Sequence, residues 1–287
     1  MAAKNSSNGQ KVSDFATKDV ISVPSTMRII EGVQLMSRNN FRRLPITDAG
    51  TGKLTGLITL TDIVDMLGGG SRYNLVAKKH KGNLLKALND SLREIMTENV
   101  TGLPESASVK DAAKLLIETG HGAYPIVKTN GVLCGIITEY DIIKVLAGEE
   151  NTTKVRSIMT KNPRVIEPDV PLSTVTREIV EHGYRRFPVV KDGLLIGIIT
   201  ATDVMNYIGR GRVFSEMKDG TIDEVLNLPV REVMTAADIK TLSADATVSE
   251  AAELMLKNGI GAFPVMDKGR LAGIITEFDL VRELANE

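Results

Sequence analysis

The sequence predicts an α/β (α+β) fold assembled from four copies of one β-α-β-β-α unit, and three observations predict it. The first is a phrase that returns four times: Gly56-Leu57-Ile58-Thr59-Leu60-Thr61-Asp62, Gly135-Ile136-Ile137-Thr138-Glu139-Tyr140-Asp141, Gly197-Ile198-Ile199-Thr200-Ala201-Thr202-Asp203 and Gly273-Ile274-Ile275-Thr276-Glu277-Phe278-Asp279. The second is its setting: apolar residues recur at helical spacing, then gather into two short β-rich runs that end in the phrase. The third is an alternation between copies, which makes the true period a pair. A repeat of this kind decides the architecture before any residue chemistry does.

The copies run at about 12–67, 92–146, 155–208 and 230–284. Three open on a related phrase, Ile95-Met96-Thr97, Ile158-Met159-Thr160 and Val233-Met234-Thr235; the first has Phe15-Ala16-Thr17 instead. A short extended segment follows, then a helix with an apolar face such as Val109, Ala112, Ala113, Leu116 and Ile117. Gly120, Gly183, Gly259 and, in the first copy, Asn39-Asn40 are residues suited to stopping that helix. Two β-rich runs come next, as in Tyr124–Val127 and Leu133–Ile137 around the Asn130-Gly131 turn. A second helix starts at Thr-x-x-Asp and runs to Leu67, Leu146, Ile208 or Leu284. Met36, Met205 and Met255 fall on helical apolar faces and are expected in the core. A unit this short buries too little surface to be stable alone, so adjacent copies are expected to pair and share apolar faces.

The alternation is specific. Copies one and three carry Phe41-Arg42-Arg43-Leu44-Pro45 and Tyr184-Arg185-Arg186-Phe187-Pro188 before the first β-rich run. Copies two and four carry His121-Gly122-Ala123-Tyr124-Pro125 and Ile260-Gly261-Ala262-Phe263-Pro264. The helix-start phrase is Thr-x-Thr-Asp in the odd copies and Thr-Glu-aromatic-Asp in the even ones. Asp62 and Asp203 lie 141 residues apart, which fits one duplication of a two-copy module. The expected organisation is a flexible tail over 1–11, a first module over 12–146, a linker over 147–154 and a second module over 155–284. Two similar halves are expected to face each other about a pseudo-twofold axis.

Composition sets outer limits. The chain has 287 residues, 43% of them hydrophobic and 25% charged, as in a soluble globular protein. A formal net charge of −1 gives no global field toward nucleic acid or an anionic membrane, and neither is expected as a partner. Cys134 stands alone in an apolar run and is read as a buried, inert thiol. No run approaches the length of a membrane span and the first residues lack an apolar signal core, so a cytoplasmic protein is expected. Three histidines and one cysteine make no metal cluster and no nucleophile–base pair, so no metal and no enzyme are predicted.

The repeated phrase reads in two ways. As local structure it is a capping box, with threonine at the helix N-cap and aspartate returning to the backbone. As a site it offers donors for an anion at a helix start and a carboxylate for a ribose diol. That reading selects Thr59, Thr61, Asp62, Thr138, Asp141, Thr200, Thr202, Asp203, Thr276 and Asp279. Val20 and Ile21 are candidate walls for a purine ring. Arg43 and Arg186, with Arg42 and Arg185 beside them, read either as a solvated edge or as phosphate ligands with a planar fork of donors. Their recurrence only beside Thr-x-Thr-Asp favours phosphate. Glu139 and Glu277 in the even copies repel phosphate, so two kinds of site are expected. Lys78 and Lys79, in a basic run before His80 and Lys81, read as a solvated face or as a phosphate clamp. Arg210 and Arg212 occupy the comparable stretch of the second half. Gly68-Gly69-Gly70 is expected to end a helix and free the linker.

With these residues in view, all four copies resemble CBS motifs, and each tandem pair resembles a Bateman module. The whole is similar to archaeal four-CBS proteins and to the gamma subunit of AMP-activated protein kinase. That resemblance implies two tandem pairs packed as a pseudo-twofold disk, with AMP, ADP or ATP as regulatory ligands. It implies that Thr59, Thr61, Thr200 and Thr202 meet phosphate or sugar. It assigns ribose to Asp62, Asp141, Asp203 and Asp279, and phosphate to Arg43 and Arg186. The gamma subunit usually has His-Arg where this chain has Arg42-Arg43 and Arg185-Arg186, which leaves the choice among AMP, ADP and ATP open. The alternatives are an S-adenosyl ligand such as S-adenosylmethionine, or a ligand-free scaffold. A regulated protein partner or self-association is expected.

Overall fold

The computed structural model describes residues 10–146 and 150–285. Most of the expected tail, 1–9, and the first part of the expected linker, 147–149, lie outside the described residues. Gln10 and Lys11 do not behave as a tail. The Gln10 carbonyl accepts from Val109 N at 2.9 Å, and Lys11 bridges to Ser108, so this backbone is spent on capping the neighbouring copy's helix.

Each copy folds as expected from its first helix onward. In the first copy the first helix is Ile29–Asn39, the hairpin strands are Arg43–Thr47 and Leu54–Thr59, and the second helix is Leu60–Gly68. The equivalents are Val109–Thr119, Ala123–Val127, Leu133–Thr138 and Glu139–Leu146 in the second copy. In the third they are Leu172–His182, Arg186–Lys191, Leu194–Thr200 and Ala201–Gly209. In the fourth they are Val248–Asn258, Ala262–Asp267, Arg270–Thr276 and Glu277–Leu284. The first helices stop where the left-handed conformation is reached, at Asn40 and at Gly120, Gly183 and Gly259. All four hairpins are antiparallel and shift register at one equivalent point, Ile46/Thr47, Ile126/Val127, Val189/Val190 and Val265/Met266.

The opening phrases do something the pattern of apolar residues does not announce. Each begins with a single helical turn (Val12–Phe15, Leu92–Glu94, Val155–Ile158, Val230–Glu232) and then adds a strand or bridge to the tandem neighbour's hairpin. Thr97–Glu98 of copy two pairs with Leu54–Thr59 of copy one, while Thr17 of copy one bridges Ile136 of copy two. Likewise Thr160–Lys161 of copy three pairs with Arg270–Thr276 of copy four, and Thr235 of copy four bridges Ile198 of copy three.

This exchange explains two sequence features at once. The glycine of each repeated phrase is where the foreign segment passes. A Cβ built on Gly56 would stand 2.8 Å from the Thr97 carbonyl oxygen, and one on Gly273 would stand 2.6 Å from Met159 Sδ. Gly135 is the loosest of the four, with Thr17 O at 3.3 Å and Ala16 Cβ at 3.5 Å. Copy one is the one whose opening phrase has alanine where the others have methionine.

The chain forms two compact units, Met1–Val20 with Thr101–Pro163 and Lys240–Glu287, and Ile21–Val100 with Arg164–Ile239. The second holds a continuous core from copies one and three, including Ile29, Met36, Leu44, Phe187, Met205 and Ile208. The first holds a core from copies two and four, including Val109, Leu116, Met255, Phe263 and Leu280. The apolar faces are therefore shared by alternate copies, and tandem neighbours are joined by exchanged segments instead of by a common core. The expectation of face-sharing between adjacent copies is corrected here. Met36, Met205 and Met255 are fully buried as expected.

Small residues permit the odd-copy packing. Gly68 lies so near Thr176 that a Cβ there would meet Thr176 Cβ at 2.3 Å, and one on Gly209 would meet Ser37 Cβ at 2.6 Å. Ser37 Oγ donates to Asn206 Oδ1 at 2.7 Å across the same contact. Gly68-Gly69-Gly70 does end a helix, with Gly69 at φ 102°, but the chain beyond it is not free. A Cβ on Gly70 would stand 2.1 Å from Asp65 Oδ1, so the turn wraps tightly over that carboxylate. Cys134 is half-buried instead of buried; burial still pushes its thiol pKa up, and Sγ donates to Ile126 O at 3.4 Å.

Candidate functional site

Hairpin register brings the candidate residues together. Arg43 is the cross-strand partner of Thr59, and Arg186 that of Thr200. In the even copies the same register sets Ala123 against Thr138 and Ala262 against Thr276. The residue before the strand also holds the second helix, because Leu60 N donates to Arg42 O at 3.1 Å and Ala201 N to Arg185 O at 3.0 Å. One turn of helix, one strand end and the arginine thus share a corner in each odd copy. Arg42, Arg43, Arg185 and Arg186 are all half-buried at that corner and engaged in polar contacts.

The threonine and aspartate form a reciprocal cap in all four copies. Asp62 Oδ2 accepts from Thr59 N and Thr59 Oγ1, both at 2.7 Å, and Asp62 N donates back to Thr59 Oγ1 at 3.3 Å. Thr138 with Asp141, Thr200 with Asp203 and Thr276 with Asp279 repeat this arrangement. The capping reading is therefore correct as local structure. Each cap uses Oδ2 and leaves Oδ1 to other partners.

What meets Oδ1 differs between copies. Thr235 Oγ1 donates to Asp203 Oδ1 at 3.2 Å. Arg282 Nη2 lies 3.3 Å from Asp279 Oδ1, and Lys144 Nζ 3.8 Å from Asp141 Oδ1. In the first copy Arg72 Nη2 lies 2.7 Å from Asp62 Oδ1, and its Nη1 lies 3.2 Å from Asp65 Oδ2.

Burial sets the electrostatics. Asp62, Asp141 and Asp279 are 5–6% exposed, and Glu139 and Glu277 of the even copies 4% and 3%. Burial pushes the Asp62 carboxyl above the usual aspartate range, with Arg72 and the Thr59 hydrogen bonds opposing. Burial also raises Asp203, opposed by the cap, by Thr235 and by the charge of Arg210. Asp141 is raised by burial and further by Glu277. The even sites are thus the more acid-crowded, in line with their lack of the arginine.

Thr61 and Thr202 occupy the first turn of their helices and are half-buried. Val20 is half-buried and Ile21 is 42% exposed. Lys78 is exposed, while Lys79 Nζ is held by Asp90 at 3.1 Å and Glu94 at 3.2 Å. Arg212 stacks on Tyr207 at 5.2 Å and donates to Glu232 O at 3.1 Å. Sequence reasoning missed Arg72, Asp65, Thr97 and Thr235. Thr97 and Thr235 were signalled by the recurring Met-Thr phrase; Arg72 belongs to no repeat. Among the described residues no group of three or more His, Cys, Asp or Glu side chains is placed to hold a metal, and no helix is long and apolar enough to cross a membrane.

Comparison with known proteins places the chain in a family. The CBS domain family matches residues 12–69, 92–148, 155–210 and 230–286. The chain is 39% identical over 270 residues to protein MJ1225 of Methanocaldococcus jannaschii, covering 93% of this chain and 96% of that one. The crystal structure of MJ1225, proposed as an archaeal homologue of g-AMPK, aligns with a TM-score of 0.90 at 38% identity, over 95% of this chain and 99% of that one. A 33.4 kDa protein from the ribosomal RNA operon of Thermofilum pendens is 31% identical over 262 residues, 91% of this chain and 87% of its own. A homoserine O-acetyltransferase of Methanococcoides burtonii matches at 36% over 120 residues, which is 42% of this chain and 24% of the enzyme. The matched motifs span most of the sequence, and each carries the capped Thr–Asp pair at its second helix; the chain belongs to the CBS-domain family.

Proposed function

We propose that this chain is a non-catalytic regulatory protein that binds adenine nucleotides, AMP, ADP or ATP, at its odd copies. One observation carries the reading. In copies one and three alone, the hairpin register sets an arginine opposite the N-cap threonine, beside a carboxylate whose Oδ1 is not used by the cap. In that arrangement Asp62 and Asp203 accept from the ribose diol, Thr59, Thr61, Thr200 and Thr202 contact sugar or phosphate, and Arg43 and Arg186 hold phosphate. The match to an acetyltransferase covers a quarter of that enzyme, so its activity is no guide to this chain.

In the even copies alanine replaces the arginine and a buried glutamate follows the cap, at Glu139 and Glu277. Carboxylates there favour a cationic adenosyl ligand such as S-adenosylmethionine over a nucleotide, with Thr138, Asp141, Thr276 and Asp279 at the ribose. A bound ligand shifts the packing of copies, or the affinity for a protein partner, only by its differential affinity for the two states.

The direct test is mass spectrometry of small molecules released from the purified protein, with stoichiometry. An adenine nucleotide, or calorimetric binding of AMP or ATP by the stripped protein, is expected. No binding of any adenosine compound would leave the capped pairs as structural devices of a scaffold.

A further inference from the structure

Copies one and three share the same cap and the same cross-strand arginine, yet their outer carboxylate oxygens are not equivalent. In copy three Asp203 Oδ1 takes a hydrogen bond from the uncharged Thr235 hydroxyl at 3.2 Å, and Arg210, which acts on it only through its charge, is exposed. In copy one the equivalent aspartate and threonine are separated by a guanidinium. Arg72 pairs with Asp62 Oδ1 at 2.7 Å and donates to Thr97 Oγ1 at 2.9 Å. Its other donors are also spent, Nε on Ile95 O at 2.5 Å and Nη1 on Asp65 Oδ2 at 3.2 Å. The backbone fixes this pose, because Arg72 N donates to Asp65 Oδ1 at 3.1 Å. Gly70 lets the turn close over Asp65 where any side chain would collide with that carboxylate. Asp62 and Asp65 are 7% and 11% exposed in their side chains and Arg72 is 23% exposed, so the pair is only weakly screened.

We infer that Arg72 is a built-in gate on the first-copy site: it occupies the Asp62 oxygen that a ribose diol would use, and so makes the first copy fill after the third. The inference rests on the nucleotide-binding reading above and adds an order to it. A hydroxyl entering this corner must displace a guanidinium–carboxylate ion pair in copy one, whereas in copy three it displaces only an uncharged threonine hydroxyl. One such bond corresponds to about a tenfold difference in affinity or more. Asp65 keeps a partner for the displaced guanidinium, so opening the gate does not strand a charge.

The test is calorimetry at pH 8 with adenosine, which lacks phosphate and so reports on the sugar end alone. In an Asp203→Ala background the third copy is disabled. There Arg72→Ala is expected to raise adenosine affinity about tenfold, with Arg72→Gln moving in the same direction while keeping part of the side-chain stem. Adding Asp62→Ala should abolish the gain, which separates copy one from the even copies. If Arg72→Ala does not fold, Arg72→Gln carries the comparison. Unchanged or weaker binding in the folded Arg72 variants, with the unaltered protein binding adenosine, overturns the gate and leaves the proposed function standing. Failure of every protein, the unaltered one included, to bind adenosine or AMP overturns both.

Discussion

Met234 packs against the backbone of Gly197 so closely that a Cβ added there would stand 2.7 Å from its sulfur, with Thr235 O at 3.1 Å. The two residues belong to different copies and meet through the exchanged opening segment. Gly197→Ala is therefore expected to destabilise the protein by about 1–3 kcal/mol, as overpacking does. Gly135→Ala, facing Ala16 instead of a methionine, should cost clearly less. Denaturant midpoints at constant slope decide this; equal losses at the two glycines would contradict the contact.

Arg186→Ala should lower AMP affinity by roughly ten- to hundredfold, the value of one charge-assisted hydrogen bond to phosphate. Adenosine affinity should be nearly unchanged, because in the proposed arrangement this arginine meets phosphate and not sugar. Titration calorimetry with both ligands makes the comparison. Equal losses would move Arg186 away from the role assigned to it.

Burial holds the Asp203 carboxyl above its ordinary range, so the folded state keeps the proton to a higher pH than the unfolded one. The sign follows: this group's contribution is complete below the ordinary aspartate value of about 3.9 and is lost as pH rises through the folded value. Asp203→Asn removes that loss, so the variant should gain stability relative to the parent as pH rises from about 4. Ligand binding runs the other way. AMP affinity should fall on acidification through the raised value, since the diol needs the carboxylate.

Ser37 and Asn206, 169 residues apart in sequence, hydrogen-bond at 2.7 Å within the core shared by copies one and three. Ser37 is 3% exposed. A double-mutant cycle of Ser37→Ala and Asn206→Ala should show a coupling of about 1 kcal/mol. Additive effects would argue that the odd copies do not pack as described.

Much of this was legible in the sequence. The four Thr-x-x-Asp phrases gave the cap and its position, the glycines gave the helix stops, and the helical spacing of Met36, Met205 and Met255 gave their burial. The exchanged strands were not legible, for a physical reason. Thr97–Glu98 and Thr160–Lys161 are two residues long with exposed side chains, and so leave no period-two pattern. The choice of core partner was hidden as well, because all four copies carry similar apolar helix faces. What distinguishes alternate copies is small-residue contact, Gly68 on Thr176 and Gly209 on Ser37, which has meaning only once the helices are placed. Arg72 was passed over because a single arginine after three glycines repeats nowhere.

The segment exchange and the alternate-copy cores satisfy different needs. Edge strands are covered as soon as two successive copies exist, since each lends its neighbour a few residues. The oily flanks of the helices are not, because their cover comes from the other half of the chain. A severed half, its sheets complete but its flanks bare, should therefore seek a twin and form a homodimer. An ancestor with half the present length would have met the same demand, and fusing two such genes would have made that association permanent.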